Sequence, residues 1–369
     1  MDKNYKILVI NPGSTSTKIA LFNNEEEIFN TNISHEPEEM KCFKEVQEQL
    51  PYRRDMVERE LALKGTEISD IDIFVGRGGG LVPIAGGTYE VTAKLAEHAS
   101  KGMSGQHPAQ LASQICKQFA DRYGKHAFVV NPPDVDEFDL IARISGVKGL
   151  YRESRIHALN QKEVALRYCA AKERKYNEIN LIICHIGGGI SVTAHRKGKM
   201  VDSNDIMNGD GPMAPTRAGS LPYLKVIKMA YSGEYTEKEL VSKLNKEGGL
   251  TDHLGTADAK EVEKRIIDGD KYAETVYNAM IYQIAKSVGS CACVLKGNVD
   301  AILLTGGISH SKYLVDTLKE YIGWISPIEV MAGEFEMEAL AAGALRVMRG
   351  EEEAVVYTGQ PLSLPACFS

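Results

Sequence analysis

Two stretches of this chain follow one plan: an apolar run, a turn of small residues, and a second apolar run. They are ILVINPGSTSTKIALF, from Ile7 to Phe22, and LIICHIGGGISVTAHR, from Leu181 to Arg196. Short runs rich in Ile, Val and Leu, broken by turn residues, predict β-hairpins. Their recurrence along 369 residues, about two domains' worth of chain, predicts two related α/β domains facing each other across a central cleft. A third run, DAILLTGGISHSKYLVDTLKEYI, predicts a strand, a glycine turn at Gly306-Gly307 and a helix.

The segments between them alternate in type, which is the α/β signature. DIFVGRGGG predicts a strand entering a glycine cluster, and HAFVVNPPDVDEF a strand stopped by Pro132 and Pro133. PAQLASQICKQFADRYG, HALNQKEVALRYCAAKERKY and the run from Tyr272 to Leu295 carry apolar residues three and four apart, the helical period. The expected division is a first domain over 1–155, a second over 156–339, and a C-terminal segment from about 340 to 369 packing back onto the first.

Composition excludes more than it assigns. With 43% hydrophobic and 25% charged residues the chain can bury a core in each domain. A net charge of -7 without a long single-sign block argues against nucleic acid as a partner. Of the seven cysteines only Cys291 and Cys293 are close in sequence, and nothing near them completes a zinc pattern, so reduced, buried thiols are expected. MDKNYKILVI does not read as a signal peptide, and no apolar run approaches the roughly 20 residues of a membrane helix. A soluble, cytoplasmic protein is the expectation.

The first turn, Gly13 to Lys18, almost spells a phosphate loop. A Walker loop needs a second glycine before its lysine and a helix after it. Here Thr17 stands where that glycine would be, and the apolar run IALF follows. What remains is a hairpin turn with hydroxyls, backbone N–H groups and a lysine, able to hold an anion; a plain polar turn with a surface lysine is the alternative. Gly187, Gly188 and Gly189 end the strand of the second hairpin, where glycine lets backbone approach a ligand closely. A long Gly/Pro/Asn-rich loop, DSNDIMNGDGPMAPTRAGSLP, carries Arg217 near its end, and long loops in compact domains tend to be functional. Turns of this kind in both halves favour nucleotide binding.

Together, N-x-G-S-x-S-x-K at Asn11 to Lys18, CHIGGGISV, TRAG and LLTGGIS resemble the acetate kinase family, within the sugar kinase, Hsp70 and actin superfamily. INPGSTSTK, GRGGG, DEFDLIARISG, RIHALNQ, HIGGGISVTAHRKGK and GDGPMAPTRAGSLP are most similar to the branch of that family acting on butyrate. The resemblance spans nearly the whole chain, with its motifs in order. It implies two ribonuclease H-like domains, ATP and ADP with Mg²⁺, and reversible phosphoryl transfer to a short-chain carboxylic acid, giving an acyl phosphate. It also implies a homo-oligomer, a dimer or larger. A carboxylate is already a nucleophile, so the chemistry needs alignment and charge neutralisation rather than a strong base.

Carried over residue by residue, Arg77 matches the arginine that contacts substrate carboxylate and phosphoryl group, and Arg217 a second, charge-stabilising arginine. His157 matches a histidine that hydrogen-bonds the phosphoryl in transit. Asn11, Ser14, Ser16 and Lys18 would line the site on the first domain. His185 with Gly187 to Gly189 would cradle the nucleotide phosphates, with Gly306 and Gly307 beside the adenine or ribose. Asn208 and Asp210 belong to the nucleotide-side loop by position, and Glu336 matches the magnesium-linked glutamate. The family's second metal-linked acid, an aspartate, is displaced here: Asn131 stands in its place, with Asp134 and Asp136 following, and Asp136 is the choice. Ile156 and His107 are placed in the substrate pocket. Acetate kinases carry a bulky phenylalanine where this chain has Ile156, so butyrate or a branched acid is expected. The rival readings are an acetate or propionate kinase and a non-enzymatic, actin- or Hsp70-like ATP-binding protein.

Overall fold

In a computed structural model, which describes residues 3–361, the first hairpin is built as expected. Strand β1 (Lys6–Pro12) runs antiparallel to β2 (Ser16–Asn23), with Asn11 opposite Lys18. The sheet continues through β3 (Glu26–Ser34) on one side, and through β4 (Ile73–Gly76), β5 (Thr88–Glu90) and β6 (His126–Val130) on the other, in the order β3-β2-β1-β4-β6-β5. Strands β4 and β6 are parallel to β1. Their sequences are continuous apolar runs because helices cover them on both faces. Residues Leu8, Ile10 and Phe74 share one hydrophobic cluster with Leu111, Ile115 and Phe119 of the helix Gln110–Tyr123. The helix Glu336–Met348 brings the chain back to the same strands.

The second hairpin pairs β7 (Asn180–Ile186) with β8 (Ile190–Arg196). With β9 (Lys199–Ser203), β10 (Ala301–Thr305) and β11 (Ile328–Val330) it forms a sheet in the order β11-β10-β7-β8-β9. The two sheets share a plan. An antiparallel meander, β3-β2-β1 or β9-β8-β7, is extended from its first strand by parallel strands, β4 and β6 or β10 and β11. The long helix Lys271–Val294 buries Tyr277, Met280, Ile281, Ile284 and Val288, the three-four spacing its sequence carries.

Two compact units result. Among the described residues, those up to Asp136 and those from Phe335 onward form one, and Glu137–Glu334 the other. The sequence drew this line at 155/156 and 339/340. Residues 137–155 go with the second unit because hydrogen bonds tie them there: Asp139 N–H donates to the Val201 carbonyl at 2.9 Å, and the Glu137 carboxylate pairs with buried Lys162 at 2.9 Å. Of the thiols, Cys116, Cys169, Cys184 and Cys291 are buried as expected, Cys42 and Cys293 are exposed, and Cys367 lies outside the described residues. Among the described residues no helix is long and apolar enough to cross a membrane.

Candidate active site

In the first unit the β1–β2 turn is closed by the Gly13 N–H donating to the Ser16 carbonyl at 2.7 Å. Ser14 and Lys18 are exposed and Ser16 is half-buried. The parallel register sets Ile10 beside Gly76, and the Arg77 N–H donates to the Ile10 carbonyl at 3.0 Å, so Arg77 leaves β4 next to Asn11 at the end of β1. Gly76 is required by close approach: a Cβ there would lie 2.8 Å from the Ala112 carbonyl carbon. Asn11 Nδ2 donates to Glu336 Oε2 at 3.2 Å, which brings the start of the returning helix to the same strand end. Among the described residues, half-buried Arg77 has one side-chain hydrogen bond, from Nη1 to the Asn131 carbonyl at 3.4 Å. Desolvation holds its guanidinium below the usual arginine range, opposed by the charges of Glu336 and Asp134. His107 belongs to the same field: desolvation, then Arg77 and Arg53, lowers its pKa, and its Nδ1 accepts from the Ala109 N–H at 3.2 Å.

Asn11, Arg77, His107 and Glu336 thus form one cluster. The acids after β6 are arranged by Asn131, which sits at φ 39° and accepts from the Gly87 N–H at 2.8 Å. Asp134 and Asp136 are both buried; Asp136 is pinned by its N–H to the Ile84 carbonyl at 2.8 Å, and Asp134 accepts from the Ser104 hydroxyl. Of the acids after β6, Asp134 adds its charge to that of Glu336 on Arg77.

Sequence reasoning missed Arg53. It comes from the helix Leu50–Leu63, has no exposed surface, and lies behind the turn. Its Nη1 donates to the Ser16 carbonyl at 3.1 Å, Thr17 Oγ1 at 2.9 Å and His35 Nε2 at 3.2 Å. Burial pulls its pKa down to about 10, and no carboxylate compensates it among the described ion pairs.

In the second unit, His185 at the end of β7 stacks on His157, with ring centroids 3.8 Å apart and planes 15° from parallel. His157 precedes the helix Ala158–Ala171, and its Nδ1 lies 2.9 Å from Ser191 Oγ on β8. Ile156, just before it, is buried. In the β7–β8 turn Gly187 and Gly189 lie against side-chain tips, whereas Gly188 faces open space. A Cβ on Gly189 would stand 2.4 Å from Nη1 of Arg217, and one on Gly187 3.1 Å from Nε2 of His185. Arg217 donates from Nη1 to the Ile206 carbonyl at 2.8 Å; desolvation lowers its pKa and Asp205 opposes this. Gly306 follows β10 at φ 90°, where a Cβ would meet the Ile186 carbonyl oxygen at 2.4 Å.

Gly187, Gly188 and Gly307 line one cavity of about 470 Å³ with Lys260, Lys312 and Ser311, a size suited to a nucleotide. Asn208 lines a different cavity of about 480 Å³, and its N–H and Nδ2 donate to the Asp205 carboxylate at 2.9 and 2.7 Å. Asp210 accepts from Arg152 Nη2 at 3.1 Å. Asp205 and Arg152, which organise this loop, carried no sequence signal that set them apart.

Comparisons with known proteins bear on the family and the fold. The profile of the Acetokinase family matches residues 147–323. The chain is 45% identical to butyrate kinase 2 of Clostridium acetobutylicum over 353 residues, 96% of this chain and 99% of that protein. It is 46% identical to a probable butyrate kinase of Clostridium botulinum over the same shares. Among solved structures, acetate kinase of Porphyromonas gingivalis superposes with a TM-score of 0.76 at 17% identity, covering 94% of this chain and 100% of that one. A propionate kinase of Francisella tularensis gives 0.70 at 18%, covering 92% and 98%. The chain belongs to the acetokinase family, among its butyrate kinases.

Proposed function

We propose that this chain catalyses reversible transfer of the ATP γ-phosphoryl group to the carboxylate of butyrate, giving butyryl phosphate and ADP. A carboxylate oxygen attacks the γ-phosphorus, a new O–P bond forms, and the bond to the β,γ-bridging oxygen breaks, its electron pair leaving on ADP. No proton is transferred, so no general base is needed. The observation that carries the reading is the state of two arginines. Arg77 and Arg217 are each desolvated, each spends one side-chain hydrogen bond on a backbone carbonyl, and neither has an ion-pair partner among the described residues. Their remaining planar donors suit carboxylate and phosphoryl oxygens. Arg77 with Asn11 addresses the acid, Arg217 the charge that builds during transfer, and His157 a phosphoryl oxygen.

The described residues hold no group of three or more His, Cys, Asp or Glu side chains arranged for a metal. Mg²⁺ on a nucleotide needs only one or two protein carboxylates and retains water, so Glu336 with Asp134 or Asp136 fits it. Bound there, Mg²⁺ supplies neutralisation of phosphate charge. A cytoplasmic homo-oligomer accompanies this reading.

Incubation with ATP, Mg²⁺ and hydroxylamine across acetate, propionate, butyrate and isovalerate tests it. Hydroxamate should form, with kcat/KM rising by roughly fourfold per added methylene up to butyrate. No hydroxamate from any acid would remove the kinase reading, and a clear acetate preference would remove butyrate.

A further inference from the structure

The ring proton of His157 decides what that residue can do to a phosphoryl oxygen, because only a protonated nitrogen donates. Its Nδ1 faces Ser191 Oγ, and behind Ser191 runs a buried polar chain. Gln161 Nε2 reaches Ser191 Oγ at 2.7 Å and the Ser191 carbonyl at 3.4 Å. Gln161 Oε1 lies 2.9 Å from His195 Nε2, and His195 Nδ1 lies 2.6 Å from the Tyr176 hydroxyl. The chain is held by two periodicities: His157 and Gln161 are one helical turn apart, and Ser191 and His195 are four apart on β8, so each pair shares a face.

Every hydrogen in this chain has one consistent direction. A backbone carbonyl only accepts, so the Gln161 group facing it is the amide NH₂, and Oε1 points at His195. That oxygen only accepts, so His195 carries its proton on Nε2. Burial keeps His195 neutral, so its Nδ1 accepts, and the Tyr176 hydroxyl, itself kept protonated by burial, donates to it. Ser191 Oγ accepts from Gln161. Ser191 has no exposed surface, and the acceptor in reach of its own hydrogen is His157 Nδ1; an unmade bond from that buried hydroxyl would be costly.

We infer that Tyr176, His195, Gln161 and Ser191 are positioning residues whose one-way hydrogen-bond chain fixes the proton of His157 on Nε2, so that His157 meets its substrate as a hydrogen-bond donor through that nitrogen. The neighbouring ring is set the same way. Thr305 Oγ1 donates to the Gly333 carbonyl at 3.1 Å and therefore accepts from Asn160 Nδ2 at 3.2 Å; the other Nδ2 hydrogen goes to His185 Nδ1 at 2.9 Å. The two stacked histidines thus both present Nε2–H.

This inference rests on the kinase reading for its meaning, and its test separates the two. Long-range ¹H–¹⁵N NMR on the full-length protein labelled at histidine should show His157 as the Nε2–H tautomer. In Ser191→Ala and Gln161→Met the signal should shift toward a tautomer mixture. Hydroxamate turnover should lose about tenfold in kcat in Ser191→Ala with KM for ATP little changed, and a His157→Ala background should abolish that loss. An Nδ1–H tautomer in the wild type, an unaltered signal in both variants, or a Ser191→Ala loss that persists without His157 would overturn it. The wild-type signal decides even if a variant fails to fold. Absence of turnover with every acid would instead remove the kinase reading and leave the tautomer assignment standing.

Discussion

The β1–β2 turn and the β7–β8 turn occupy the same position in two sheets of one plan, yet they are made of opposite materials. The first is a set of donors. Ser14, Thr15 and Ser16 are hydroxyl residues, and a buried guanidinium, Arg53, braces the turn from behind through the Ser16 carbonyl and Thr17. The second is a set of spaces. A Cβ on Gly189 would overlap Arg217 Nη1 at 2.4 Å, and one on Gly187 would press on the tips of His185 and Glu334 at 3.1 and 3.3 Å. A turn of donors should degrade gradually as groups are removed, since its contacts are several and similar. A turn of spaces should fail at once when the space that Arg217 fills beside Gly189 is taken.

The largest effect falls on the group that the second turn accommodates. Arg217→Ala should lower kcat by about 10²–10³-fold, as for loss of one charge-stabilising donor, while the thermal melting profile is retained. Wild-type turnover would detach Arg217 from the chemistry. Gly189→Ala should come close behind, at about a hundredfold, because the new methyl would sit 2.4 Å from Nη1 and push the guanidinium out of place. Its kinetics should resemble those of Arg217→Ala, and a loss confined to nucleotide affinity would break the contrast between the turns.

The bracing of the first turn predicts a pH dependence. Buried His35 accepts from Arg53 and Thr17, and desolvation followed by the Arg53 charge lowers its pKa from the ordinary 6.5 to about 4, against a smaller pull from Glu39. Between those values the unfolded chain binds a proton that the folded chain refuses, so stability is full above pH 6.5 and falls as pH drops toward 4. The wild type should lose roughly 1–3 kcal/mol over that window relative to His35→Asn in denaturant titrations. Equal slopes for the two proteins would exclude His35 as the source.

How much of this was legible in the sequence follows from how local each feature is. The hairpins were legible because apolar runs and turn residues lie side by side in the chain. Strands β3 and β9 were not: EEIFNTNIS and KMVDS are polar, and they are strands because β2 and β8 offer them an edge. Arg53 could not be distinguished from Arg54, its neighbour in LPYRRDMVERE, until the helix was set behind the turn. The choice among the acids after β6 depended on the left-handed backbone at Asn131, which redirects the chain before Asp134 and Asp136. The glycines were read as openings for a ligand; those at 187 and 189 also make room for the protein's own histidine, glutamate and arginine.

The smallest effect is the most direct check on the first turn. Ser14 is exposed, has no part in the bracing by Arg53, and offers one hydroxyl among several. Its replacement by alanine removes one solvent-exposed hydroxyl donor, a contribution of about 0.5–1.5 kcal/mol, so kcat/KM should fall by only about two- to tenfold with stability unaltered. Ser16→Ala should behave alike, since Arg53 engages the Ser16 carbonyl and not its hydroxyl. The double variant should lose about the product of the two, as expected when neither side chain positions the other. A loss in Ser14→Ala as large as that in Gly189→Ala would mean that the hydroxyl turn, too, holds one irreplaceable group.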